Sequence, residues 1–142
     1  MSPDYRLVAR TPAIDDYRRL RAISGLTPRS AEAAAVGLPN TVFAVVIENL
    51  AGEAVGMGRV IGDGGLFFQI VDIAVDPAHQ GRGLGKAVMA ALVEHLRATV
   101  PAEAYISLIA DGEAHRLYAQ YGFQPTAPAS IGMALFLRPD AA

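Results

Sequence analysis

Gln80-Gly81-Arg82-Gly83-Leu84-Gly85-Lys86 places three glycines and two cations within seven residues, after the apolar run Phe67 to Val75 and at the start of a helical pattern. Those types in that order suit an anion. A helix N-terminus leaves four amides without intrahelical acceptors, and the aligned peptide dipoles place about half a positive charge there. Gly81, Gly83 and Gly85 remove the Cβ atoms that would hold a pyrophosphate off the backbone, and Arg82 and Lys86 add cationic side chains. Spacing excludes two familiar phosphate sites. A P-loop needs G-x-x-x-x-G-K-[ST], but five residues before Gly85 stands Gln80, and Ala87 follows Lys86. The dinucleotide fingerprint G-x-G-x-x-G fails as well: from Gly81 the third position is Lys86, and from Gly83 it is Val88.

What remains is Q-x-x-G-x-G after Val71-Asp72-Ile73-Ala74-Val75-Asp76-Pro77, and it resembles the acetyl-CoA-binding motif of the GNAT superfamily of N-acetyltransferases. About thirty residues on, Asp111 to Phe123 resembles the second half of that family's core, in which A-x-x-L-Y precedes G-F. The motif-bearing likeness covers Phe67 to Pro125; the N-terminal third carries no comparable signature. The resemblance implies an α/β (α+β) fold, a mixed and mostly antiparallel sheet splayed at its centre with helices on both faces. It implies acetyl-CoA as acyl donor. The backbone of Ile73, Ala74 and Val75 would then pair with the pantetheine arm, and the amides of residues 81–86, Leu84 among them, would hold the pyrophosphate beside Gln80. Core packing by the Ile73 and Val75 side chains is compatible with that, because the donor would use only N–H and C=O.

The implied chemistry is attack of a neutral amine on a thioester. Deprotonating an ordinary amine of pKa ~10.4 at neutral pH costs about 4–5 kcal/mol, whereas fixing two reactants in attack geometry contributes ~7–11 kcal/mol. A strong general base is therefore helpful but not required. Gln69 falls where several family members place a glutamate, and an amide cannot accept the proton. Asp72 is the nearest carboxylate; it points away from Gln69 unless a bulge intervenes, and it stands as a candidate base against a structural or substrate-orienting role. Tyr118 occupies the place where the family's tyrosine donates to the sulfur of departing CoA; the bland alternative is packing of its helix on the sheet. A phenol near pKa ~10 is a weaker acid than a thiol near ~8.5, so the expected role is stabilisation of the thiolate by a hydrogen bond. Asp111 departs from the asparagine that contacts the pantetheine arm in many family members, since aspartate lacks the donor, and a helix cap is its other expected role. His115 lies one turn before Tyr118 on an exposed position. His79 and His95 have no partners at metal-ligand spacing, so no metal is expected.

The elements that must position these residues follow from pattern. A strand at Tyr5 to Arg10 leads to a helix with apolar residues at 14, 17, 20 and 23, ended by Gly25. Thr27-Pro28 is expected to open a short helix through Ala35. Thr41 to Glu48 and Glu53 to Ile61 form a hairpin, a glycine-rich turn leads to the strand ending at Val75, and Asp76-Pro77 closes it. The helix after the cradle carries Leu84, Val88, Leu92 and Leu96 on one stripe and stops before Pro101. Ala104 to Ile109 is a strand, Glu113 to Tyr121 a helix ended by Gly122, and two further strands are expected at Phe123 to Thr126 and Ile131 to Leu137.

With 142 residues, 52% hydrophobic and 18% charged, the chain is expected to form a single domain spanning residues 1–142. A net charge of −2 without clustered Lys and Arg argues against nucleic acid as a partner. Absence of cysteine removes disulfides, thiolate metal sites and cysteine nucleophiles. Charges at Asp4, Arg6 and Arg10 interrupt any signal-peptide core, and no apolar run approaches the ~20 residues needed to cross a bilayer, so a cytoplasmic protein with no membrane partner is expected. The acceptor, a small-molecule or peptide amine, is expected to be shaped by residues 20–40, 62–68 and 125–131, whose apolar character suggests an amine with an apolar body. A homodimer is plausible for the family. The competing function is a catalytically silent acyl-CoA-binding module that senses cofactor or regulates a partner.

Overall fold

The computed structural model describes residues 1–137, which pack as two units, Met1–Leu108 and the segment from Ile109 onward. The first unit runs β1 (Tyr5–Ala9), α1 (Ile14–Ile23), α2 (Ala31–Gly37), β2 (Phe43–Asn49), β3 (Ala54–Gly62), β4 (Phe67–Val75), α3 (Leu84–Thr99) and β5 (Tyr105–Leu108), and the second holds α4 (His115–Ala119). One sheet of order β1-β2-β3-β4-β5 carries the fold. Its first four strands are antiparallel and β5 lies parallel to β4, as the α3 crossover requires.

Helices cover both faces. On one, Tyr17 and Leu20 of α1 and Ala34 and Leu38 pack on Val46, Met57 and Ala74 of the sheet. Asp15 and Asp16 in the first turn of α1 and Arg21 in the last match the helix dipole. On the other face α3 buries Leu84, Val88, Met89, Leu92 and Leu96, the expected stripe with Met89 added. α3 approaches β3 so closely that a Cβ at Gly58 would collide with Val88 and stand 2.7 Å from the tip of Ile73.

Two irregularities in β4 matter for function. Pairing with β5 is confined to Phe67–Ile70 opposite Tyr105–Leu108, so residues 71–75 pair only with β3 and their other edge is open. That is the central splay. The β3–β4 register also shifts between Met57 and Arg59, with Met57 opposite Ala74 and Arg59 opposite Val71, and Asp72 sits there at φ +59°. Two β4 residues oppose Gly58, which is a bulge.

Four expectations are corrected. α2 starts later than Thr27-Pro28 predicted: Ser30 is its N-cap, its hydroxyl accepting from the Ala33 amide at 3.1 Å, while the Thr27 carbonyl is taken by Arg21 Nε at 2.8 Å. α4 is shorter than Glu113 to Tyr121, although Gly122, at φ +92°, ends its turn as expected. No strand forms at Phe123 to Thr126 or at Ile131 to Leu137, and Ile131, Met133, Leu135 and Leu137 remain exposed. Alternating apolar residues favour a strand only where a ladder partner satisfies the backbone. Among the described residues no helix is long and apolar enough to cross a membrane.

Candidate active site

The cradle is built from backbone. After β4, Asp76 accepts from the Ala78 amide at 2.9 Å and fixes a 3-10 turn at Pro77–His79. The Gln80 side chain then reaches back to donate to the Val75 carbonyl at 3.1 Å, tying the turn to the end of the strand. Gly81 and Gly83 follow at φ +77° and +78°, left-handed values that L side chains adopt at a cost, and nothing lies within 4 Å of a Cβ built at either. Gly83 is the N-cap of α3, and no side chain caps the helix. The helical ladder begins with the Ala87 amide donating to the Gly83 carbonyl at 3.0 Å. Amides ahead of it, including those of Leu84 and Gly85, have no carbonyl four residues back to take. Arg82 and Lys86 are exposed beside this turn.

The open edge of β4 runs into the cradle. Because the Asp76 amide donates to the Val55 carbonyl at 2.8 Å, the alternation of an antiparallel ladder turns the amide and carbonyl of Val75, and two residues back of Ile73, to the unpaired side. Ala74 is buried against the α1 face. The Ile73 side chain points at α3, where its tip meets the space beside Gly58.

The bulge turns Asp72 toward α1, on the face that register assigns to Gln69 and Val71. There its carboxylate is held at both oxygens. Arg21 Nη1 donates to Oδ1 and Arg59 Nη1 to Oδ2, each at 2.6 Å, and the three side chains are only 6–9% exposed. Arg59 also donates to Thr41 Oγ1 at 2.9 Å and lies 5.7 Å from the centre of the Tyr17 ring. Burial, and after it the adjacent Asp72 charge, pushes the Tyr17 phenol up. A carboxylate with both oxygens engaged by guanidinium groups is a poor acceptor for an amine proton. The geometry favours the structural role for Asp72 over the base.

The sequence did not single out Arg21, Arg59 and Tyr17 as site residues. A signal was present: Arg59 is the one charged residue in the apolar run Glu53 to Ile61 apart from Glu53 at its start, and Arg21 sits beside the buried stripe of α1.

In the second unit Tyr118 is half-buried on α4. Burial first, and the Asp111 carboxylate second, push its phenol above the ordinary range, so it stays protonated and able to donate at neutral pH. Asp111 is exposed, and the cap expected of it is not made: α4 opens at Ala114 with no side-chain cap. His115 Nδ1 lies 3.2 Å from the Gly112 carbonyl. His79 is occupied by the Tyr5 hydroxyl at 2.7 Å, and His95 stacks on Phe43. Among the described residues no group of His, Asp or Glu is placed to hold a metal ion.

An open-edged strand feeding a glycine turn at a helix N-terminus is matched by sequence: the acetyltransferase (GNAT) domain family covers residues 39–125. The chain belongs to the GNAT acetyltransferases. It is similar to the crystal structure of a probable acetyltransferase from meticillin-resistant Staphylococcus aureus, a protein of unknown function, with 42% identity, 93% of this chain and 98% of that one covered, and a TM-score of 0.88. Among curated proteins it is 37% identical over 86 residues to serotonin N-acetyltransferase 2, chloroplastic, of Oryza sativa subsp. japonica, covering 61% of this chain and 42% of the relative. It is 34% identical over 79 residues to histone acetyltransferase TAP1 of Glycine max, covering 56% of this chain and 33% of the relative. The chain thus spans less than half the length of these curated relatives.

The residues of this GNAT-family chain fit acetyl-CoA. The left-handed glycines leave room for a diphosphate against the backbone, the helix start supplies amides, and the open edge of β4 supplies the strand pairing a pantetheine arm would take.

Proposed function

We propose that this acetyltransferase transfers the acetyl group of acetyl-CoA to a primary amine of a small molecule or peptide by direct attack on the thioester. The observation that supports it most is the continuity of the open β4 edge, residues 71–75, with the cradle at Gly81 to Lys86. Relatives named for serotonin and for a histone support an amine acceptor without choosing between small molecule and protein.

Acetyl-CoA supplies an activated acyl group and a thiolate leaving group. The backbone of Ile73 and Val75 orients the donor, with Ala74 between them turned into the β3 ladder, and Gln80, Gly81, Arg82, Gly83, Leu84, Gly85 and Lys86 anchor its phosphates. Tyr118 holds its proton and donates it as a hydrogen bond to charge developing on sulfur. The amine loses its proton to water, because Asp72 is engaged by Arg21 and Arg59 and Gln69 is uncharged. Asp111 raises the pKa of the Tyr118 phenol, second to burial.

That engagement of the nearest carboxylate also favours a second reading, a silent acyl-CoA-binding module. CoA release from acetyl-CoA over a panel of amines separates the two, and the cysteine-free chain gives a thiol reagent no protein background. Release that requires both an amine and Tyr118 supports the transferase. CoA binding without release from any amine supports the silent module.

A further inference from the structure

A cavity of about 180 Å³ opens beside the Asp72 cluster, lined by Tyr17 of α1, Arg29, Ala34 and Leu38 of the α2 region, and Arg59 of β3. It is smaller than the ~300–1,000 Å³ that holds a whole drug-sized ligand, yet several times the ~30 Å³ share of one water. One polar group on a short stem fits it.

Its charge is unbalanced. Arg21 and Arg59 share the single carboxylate of Asp72, and all three are buried, so the cluster carries one positive charge in excess. Buried charges are as a rule matched by opposite ones. Arg29 adds a second cation at the wall; only its backbone carbonyl is engaged, by Arg18 Nε at 2.9 Å, and its guanidinium takes no acceptor among the described residues. No lining residue is acidic. The nearby acids on these helices are outside the lining: Glu32 and Asp15 are exposed, and Asp16 pairs with Arg19 at 3.3 Å.

We propose that this cavity binds an oxyanion carried by the acceptor, a carboxylate or a phosphate, so that the acetylated substrate is an amine bearing an anionic group. The assignment to the acceptor rests on the transferase reading above. It differs from the amine with an apolar body that the sequence suggested, because residues 20–40 contribute Arg21 and Arg29, which the fold brings beside Arg59.

The test uses matched amines differing in the anion alone: β-alanine against β-alaninamide for carboxylate, and O-phosphoethanolamine against ethanolamine for phosphate. The expected result is a kcat/KM at least about tenfold higher for one anionic member than for its neutral counterpart, a preference that Arg29→Gln reduces by about tenfold and Arg29→Lys largely keeps. Equal kcat/KM within both pairs, or a preference untouched by Arg29→Gln, overturns it. Should no amine be acetylated, the transferase reading fails separately, and the cavity is decided by titrating inorganic phosphate and acetate against backbone amide NMR shifts. Shifts at Tyr17, Ala34 and Leu38 that weaken in Arg29→Gln support an oxyanion site; their absence in the wild-type protein, or persistence at equal affinity in the variant, rejects it.

Discussion

Asp72 shows how one side chain can look catalytic in sequence and be structural in the fold. Its carboxylate is the counter-charge for two buried arginines, so removing it strands both. Asp72→Asn is expected to cost about 3–5 kcal/mol of stability, measured by urea unfolding; a loss below 1 kcal/mol would show the ion pairs to be dispensable. Tyr118 is the opposite case. Tyr118→Phe keeps the ring and removes the donor, and is expected to lower kcat by about 10²-fold or more with acetyl-CoA binding retained. Unchanged turnover would reduce Tyr118 to a packing residue. The glycines of the cradle were legible in the sequence because a left-handed φ is a property of the residue itself. The partners of Asp72 were not, since Arg21 and Arg59 reach it from 51 and 13 positions away.

At the scale of elements, the proposed donor site depends on where β4 loses one neighbour and gains a bulge. Gly58 accommodates the bulge, sitting opposite it and beneath α3 with no room for a Cβ. Gly58→Ala should destabilise the protein by about 1–3 kcal/mol through overpacking and, by displacing Ile73, raise KM for acetyl-CoA. A variant with wild-type melting temperature and KM would show that α3 yields freely. Gly83→Ala should be milder in stability, about 1–2 kcal/mol for the left-handed backbone, while still raising KM for acetyl-CoA in the same assay. Helix stripes and strand alternation located β1 to β5, α1 and α3 to within about two residues, while α2 began later than its proline signal implied. They failed at Ile131 to Leu137, where the pattern is present and the ladder is not.

Across the whole molecule, the two groups that titrate near the chemistry lie far apart in their sign. In the proposed mechanism an acceptor amine must lose its proton to react, and Tyr118 must keep one. Because burial and Asp111 raise the folded-state pKa of Tyr118 above its ordinary value, its proton is held across the neutral range and is lost only at a higher pH than an ordinary phenol's. The corresponding stability is likewise present below pH 10 and lost as pH rises through the folded pKa. kcat/KM should therefore climb from pH 7 to 9 with no descending limb from Tyr118, and the rising limb should survive in Tyr118→Phe. A wild-type profile that falls below pH 9, with the fall absent in the variant, would place the phenol's pKa lower than the fold implies.

Sequence by itself determined the cradle, the strand that feeds it and the helix that follows, because each rests on local rules: left-handed glycines, a helix start, apolar periods of two and of 3.6; the family entered through the resemblance of two motifs. Tertiary structure decided where β4 parts from β5, which way Asp72 turns, and that Arg21, Arg29, Arg59 and Tyr17 gather on one face. Those facts come from pairing register and helix packing between distant segments, and charge balance in a buried cluster exists only once the chain has brought its members together.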